Sequence, residues 1–243
     1  MGDEAFGACE ATVRRADPDR YFSTLFAPAG KRPFLFALYA FNHEIARIGE
    51  IVREPMMGEI RLQWWREGLQ EVRLGNPRAH DVLRALSQTF EAVELPQELF
   101  ESMLDARAFD YSAETFASGA ARDAYIDATS GNLTRLAARI LGVCDTLDAL
   151  AHEAGLAYGL AGLLRSRAFH AARNKRFVCD PDLAARDARR HLARARQLAK
   201  PGVALAAFLP AALVPLYLRN PEKDVSLHRK LLVLLFAGLR GRI

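Results

Sequence analysis

Strand signals are nearly absent from this 243-residue sequence: alternating runs of Val, Ile and Thr are few, which argues against a core built on a sheet. Cysteine is scarce as well. Cys9, Cys144 and Cys179 are an odd number at wide spacing, with no CxxC pair and no His in a ligand-like register. Free thiols in a reducing compartment are therefore expected, not a disulfide framework. No apolar run approaches the ~20 residues that a membrane-crossing helix needs. The densest, residues 231–239, falls far short of it. Residues 1–10 carry acids and no apolar stretch, which argues against a secretory signal, and a cytoplasmic location is predicted.

A strong charge of one sign is missing too. Lys and Arg number 33 against 29 Asp and Glu, leaving +4, and the basic residues interleave with acidic ones. That pattern is too weak for a nucleic-acid surface, although it leaves room for an acidic partner or an anionic membrane. Equally missing are a GxSxG nucleophile turn, a glycine-rich phosphate loop and an HExxH pair, and the six histidines stand apart, so serine hydrolase chemistry and a zinc site are disfavoured. Asp123 and Asp127 share a helical face as metal ligands would, but near a helix start they read first as a solvated acidic turn. Asp105 and Asp110 do not share a face, and Asp180 and Asp182 flank a proline as turn and cap residues.

What the sequence does hold is helix. Ala, Leu, Arg and Glu dominate segments punctuated by proline. Leu38, Phe41, Ile45, Ile48 and Val52 step by three and four, giving one apolar face before Pro55 stops the run. Leu62, Trp65, Leu69 and Val72 repeat the stepping up to Gly75-Asn76-Pro77. Val82, Leu86, Thr89 and Val93 make a third stripe, and another helix opens at Pro96 and carries Leu99, Met103 and Phe109. Residues 119–140 are Ala-rich and helical, with Gly142 as the stop. Asp145 is placed to cap a helix over 146–170, and that helix holds Gly155, Gly159 and Gly162. Each glycine there costs roughly 1 kcal/mol relative to alanine, so either a neighbouring helix approaches closely or a ligand needs the space. A charged amphipathic helix over 181–198 and two last helices over 203–219 and 225–239 complete one domain, residues 1–243, in which disorder is expected only near 1–16.

Two segments are more specific. Residues 38–50 (LYAFNHEIARIGE) with 61–66 (RLQWWR), and residues 155–165 (GLAYGLAGLLR) with 175–182 (KRFVCDPD), resemble the squalene/phytoene synthase family of head-to-head prenyl transferases. Residues 125–135, with Ser130-Gly131, are similar to that family's midchain Ala-Gly helix, and the resemblance runs over nearly the whole chain. It implies an all-α, single-domain bundle of the isoprenoid-synthase type around a central cavity. In that family two aspartate-rich motifs hold magnesium ions that bind prenyl diphosphates, because hard cations must neutralise the diphosphate charge. This sequence departs from the pattern at those positions. The first motif has Ala46 and Arg47 in place of acids, with Glu50 the one acid left; the second has Ser166, Phe169 and His170 after Arg165.

The resemblance therefore implies candidate pocket residues Tyr39, His43, Ala46, Arg47, Glu50, Gly159, Arg165, Ser166 and His170, and no catalytic or metal-binding residue is assigned among them. Arg47 is placed to pair with Glu50 one turn away; in a second reading Arg47, Arg165 and Lys31 hold an anionic head group directly. The pattern of Asn42, Glu44, Ala46 and Gln63-Trp64-Trp65 looks like the branch related to the mitochondrial complex I assembly factor with a phytoene-synthase-like domain. The expectation is a non-catalytic relative without a metal cofactor. It would meet protein partners, complex I subunits among them, or an isoprenoid-like lipid, at the inner face of a membrane. The alternative is an active head-to-head prenyl transferase using magnesium. The last helix, with basic residues on both sides of 231–239, reads as a buried helix with solvated ends or as one seated on an anionic bilayer.

Overall fold

The computed structural model describes residues 2–52, 54–112, 114–143 and 145–243. It is a helical bundle, and no strand occurs among the described residues. In chain order the helices are α1 (Gly2–Ala16), α2 (Pro18–Thr24), α3 (Arg32–Ile51), α4 (Pro55–Arg73), α5 (Asp81–Ala92), α6 (Gln97–Arg107) and α7 (Gly119–Ile126). They continue with α8 (Asn132–Ile140), α9 (Asp148–Arg165), α10 (Arg167–Ala171), α11 (Pro181–Leu198), α12 (Leu205–Phe208), α13 (Val214–Tyr217) and α14 (Leu227–Arg240). α8 bridges α3 and α9: α1 and α5 pack on α3, and α11 lies along α9.

α3 forms because Pro33 fixes its first turn and nothing from Leu35 to Ile48 opposes a helix. Its middle buries Leu35, Phe36, Leu38, Phe41, Ile45 and Ile48, each worth about 1.5–3 kcal/mol once out of water. Pro55 ends it indirectly, by holding Glu54 extended, and at the same time opens α4. Within residues 1–16, where disorder is expected, Gly2–Ala16 are the helix α1. Its Ala5, Cys9 and Val13, spaced at four, drop into the contact with α3 and α5, and that burial outweighs a polar, acidic start. Burial also pushes the Cys9 thiol up to about 12, as suits an inert free cysteine; Cys179 is free and exposed, and Cys144 lies outside the described residues.

Three expected helices are interrupted. The Ala-rich segment breaks into α7, a π-helical turn over Asp127–Gly131, and α8. The expected helix over 146–170 starts later, at Asp148. Asp145 does not cap it but pairs with Arg139 at 2.6 Å. It also stops at Arg165, because the Ser166 hydroxyl donates to the Gly162 carbonyl (2.9 Å) and the chain turns before the short α10. Residues 203–219 hold α12 and α13 around a 3-10 stretch, Leu209–Leu213, into which Pro210 is set. The glycines of α9 serve two purposes. A Cβ on Gly155 would lie 2.6 Å from the Gly131 Cα, and one on Gly159 would collide with Ile126, so at both the neighbouring helix comes too close for a side chain. Gly162 has open space beside it.

Candidate functional site

α3 carries the first of the two resembling segments, and α9 with its junction to α10 carries the second. On α3, Tyr39 is buried, His43 and Ala46 are half-buried, and Arg47 and Glu50 are exposed. No ion pair joins Arg47 to Glu50 among the described residues, so the expected pairing does not form. In the second segment, Arg165 lies over the Tyr217 ring at 4.0 Å, Ser166 is bonded back to its own helix, and His170 packs tilted against Phe177, ring centres 4.6 Å apart. Phe169 points outward, with Arg173 over its ring at 3.6 Å.

A plug built by residues outside the expected site lies between these positions. The turn after α6 brings the Asp110 side chain against α3 at Gly49, where any Cβ would stand 2.6 Å from that of Asp110. Arg107 donates to Asp110 (3.2 Å), to the Tyr125 hydroxyl (3.0 Å) and, more weakly, to the Asn42 side-chain oxygen (3.4 Å), while Tyr125 donates to Asp110 at 2.6 Å. Behind this triad Phe109, Phe116, Tyr125 and Phe177 pack ring on ring as far as His170. Lys175 sits 4.0 Å from the Phe109 ring centre, and its ammonium donates to the carbonyls of Phe109 (2.6 Å), Ser112 (2.7 Å) and Glu114 (3.0 Å). Burial lowers the pKa of Lys175 and of His170, and it raises that of Tyr125, with Asp110 adding to the rise.

Deeper in, the centre of the bundle is filled by a second polar group. Arg20 of α2 pairs with Asp17 (2.6 Å) and lies under the rings of Tyr158 (4.9 Å) and Tyr39 (5.7 Å). Burial would lower its pKa, but Asp17, Tyr158 and Tyr39 together outweigh that and raise it. One residue along, buried Asp19 accepts from Tyr158 (2.9 Å), Tyr217 and Lys230 (3.0 Å). Burial first, and then Asp19, drive the pKa of both tyrosines up. The space left among Arg20, Tyr39, Leu133, Thr134, Ala154 and Tyr158 is a cavity of about 10 Å³. That is room for about one water.

A squalene/phytoene synthase family model matches residues 13–185, most of the chain. The chain belongs to the squalene/phytoene synthase family. Two solved structures share the fold. A dehydrosqualene synthase with bound ligand aligns over 96% of this chain and 95% of its own at TM-score 0.79 and 16% identity. The squalene synthase HpnC from Alicyclobacillus acidocaldarius aligns over 98% and 94% at TM-score 0.71 and 19% identity. Among curated proteins, NADH dehydrogenase (ubiquinone) complex I, assembly factor 6 from Homo sapiens is 28% identical over 171 residues, covering 70% of this chain and 51% of that protein. Its homolog in Drosophila melanogaster is 30% identical over 165 residues, covering 65% and 49%. The chain thus spans about half the length of the curated relatives it matches.

The family's magnesium does not fit the residues present. Glu50 is the single acid at the positions the resemblance marks, and the second segment offers a hydroxyl bonded to its own helix, a phenyl ring and an imidazole packed against Phe177. Other acids are committed: Asp110 to Arg107 and Tyr125, Asp105 to Arg66 (2.6 Å), Asp123 to Arg122 (2.7 Å), and Asp127 to Arg135 and His152 (both 2.9 Å). The last two are thus ion-paired, not the freely solvated turn read from the sequence. Among the described residues no three His, Cys, Asp or Glu side chains are grouped to hold a metal ion. Sequence reasoning missed Asp19, Arg20, Arg107 and Asp110. Charged residues at helix ends or in turns read as solvated, and only the fold shows them buried.

Proposed function

We propose that this chain is a non-catalytic member of its family that assists assembly of a respiratory NADH dehydrogenase through protein partners, complex I subunits among them. It uses no metal cofactor and works from the cytoplasm at the inner face of a membrane. The observation that carries the reading is the filled interior. A prenyl chain or other isoprenoid needs an enclosing pocket of roughly 300 Å³ or more; the larger spaces, about 620 Å³ beside His170 and Lys175 and about 710 Å³ beside Phe109 and Phe116, are clefts open to solvent, and the cavity among Arg20, Tyr39 and Tyr158 is about 10 Å³. The same volume weighs against storage of an isoprenoid-like lipid inside the bundle. The curated relatives named for complex I assembly support the choice of partner.

The alternative, an active head-to-head prenyl transferase, would need Glu50 with Asp123 and Asp127 to organise magnesium. Arg122, Arg135 and His152 already hold the latter two. Deleting the gene in its host and quantifying NADH dehydrogenase tests the assembly role. Reduced abundance of the assembled complex, restored by the wild-type gene, is the expected result; unchanged abundance and activity would overturn it.

A further inference from the structure

The last helix is held from one side only. On α14, Leu234 is 1% exposed and the Lys230 ammonium reaches inward to the buried Asp19 at 3.0 Å. Against the expectation of a buried terminal helix, Leu232, Leu235, Phe236 and Leu239 stand in solvent, the last two 57% and 75% exposed. At 3.6 residues per turn these four fall within an arc of about 100°, opposite Lys230 and Leu234. The patch extends onto the chain after α2. There the Phe26 ring presses on Gly238 so closely that no Cβ would fit, and Leu25 and Phe26 are themselves exposed.

Charge selects the occupant. From Val225 to Ile243 the sequence contains no acid, and Arg229, Arg240 and Arg242 are all exposed around the apolar arc. We propose that the outer face of α14, continued by Leu25 and Phe26, seats the protein on an anionic lipid bilayer. The helix lies flat, with its leucines and Phe236 in the acyl boundary and its arginines among the headgroup phosphates. A crossing orientation is excluded by length: 14 residues span about 21 Å, and no helix among the described residues is long and apolar enough to cross a membrane. A second copy is the poorer occupant, because pairing two such faces brings like-charged arginines together. This inference goes beyond the assembly role and stands without it.

Flotation of the full chain with vesicles tests it, using phosphatidylcholine alone and phosphatidylcholine mixed with phosphatidylglycerol. Binding to the mixed vesicles and little to the neutral ones is expected. Leu235→Glu with Leu239→Glu should weaken it by about tenfold or more, and so should Arg240→Ala with Arg242→Ala. Both double variants alter exposed side chains, and matching far-ultraviolet circular dichroism and melting confirm their fold. Absent or equal flotation with both vesicle types overturns the proposal. So would a wild-type dimer in sedimentation that the Leu235/Leu239 variant disperses, since the face would then be a protein interface.

Discussion

The centre of the bundle and the outer face of α14 use the same residue types to opposite ends. In the centre, Arg20, Arg107, Lys175 and Lys230 all have acceptors, and the tyrosines and phenylalanines between them leave room for about one water. On α14 the arginines and large apolar side chains are exposed together. Where relatives of this fold are expected to hold a ligand, this chain pairs its buried charges with one another, although the Arg107 Nε and Ser130 hydroxyl stay without a partner. Where a globular protein would show a mixed polar surface, it shows a basic, apolar one. The same side chains make a closed interior when their charges are paired and an adhesive surface when they are not.

The comparison breaks most readily at Asp19, on which both regions converge through Lys230. Replacing it by alanine leaves a partly buried ammonium and two buried hydroxyls without their acceptor, and should cost about 3–5 kcal/mol, read as a lowered denaturation midpoint. A loss under about 1 kcal/mol would mean that the interior is wetter than described. Next comes the backbone contact of α9 with the π-helical turn. Gly155→Ala should cost about 1–3 kcal/mol, since backbone must move. Gly162→Ala, which has open space, should gain up to about 1 kcal/mol. Equal effects at the two glycines would contradict the packing.

A graded effect is expected with pH. Burial raises the pKa of Tyr39, Tyr125, Tyr158 and Tyr217 above the usual value near 10. The unfolded chain then loses those protons first. Their contribution to stability is complete below about pH 10 and falls as pH rises above it. Tyrosinate absorbance for these four should therefore appear together with loss of helix, not before it; early, reversible ionisation in a native chain would refute the burial. The smallest effect belongs to the surface. Leu239→Glu should change stability by no more than about 0.5 kcal/mol, and a larger loss would show that the α14 face is packed against something.

Much of this was legible in the sequence, and the failures share a cause. The stepping of Leu38, Phe41, Ile45 and Ile48 marked α3, and Pro181 after the Asp180 cap marked α11, because both signals are local. The resemblance likewise singled out Ala46, Arg47, Ser166, Phe169 and His170 by position alone. The packing around them was not legible. Asp19 meets Tyr158, Tyr217 and Lys230 across 139, 198 and 211 residues of chain. No periodicity carries such a pairing. The break after Arg165 depends on one serine hydroxyl turning back on its helix, and Asp145 failed as a cap because Arg139 reached it first.

The filled interior is expected not to process prenyl diphosphates. Incubating the purified full chain with farnesyl or geranylgeranyl diphosphate and magnesium or manganese, beside an active family member, tests it most directly. No diphosphate release above the uncatalysed background is expected while the control turns over; sustained release that follows protein concentration would contradict a non-catalytic interior.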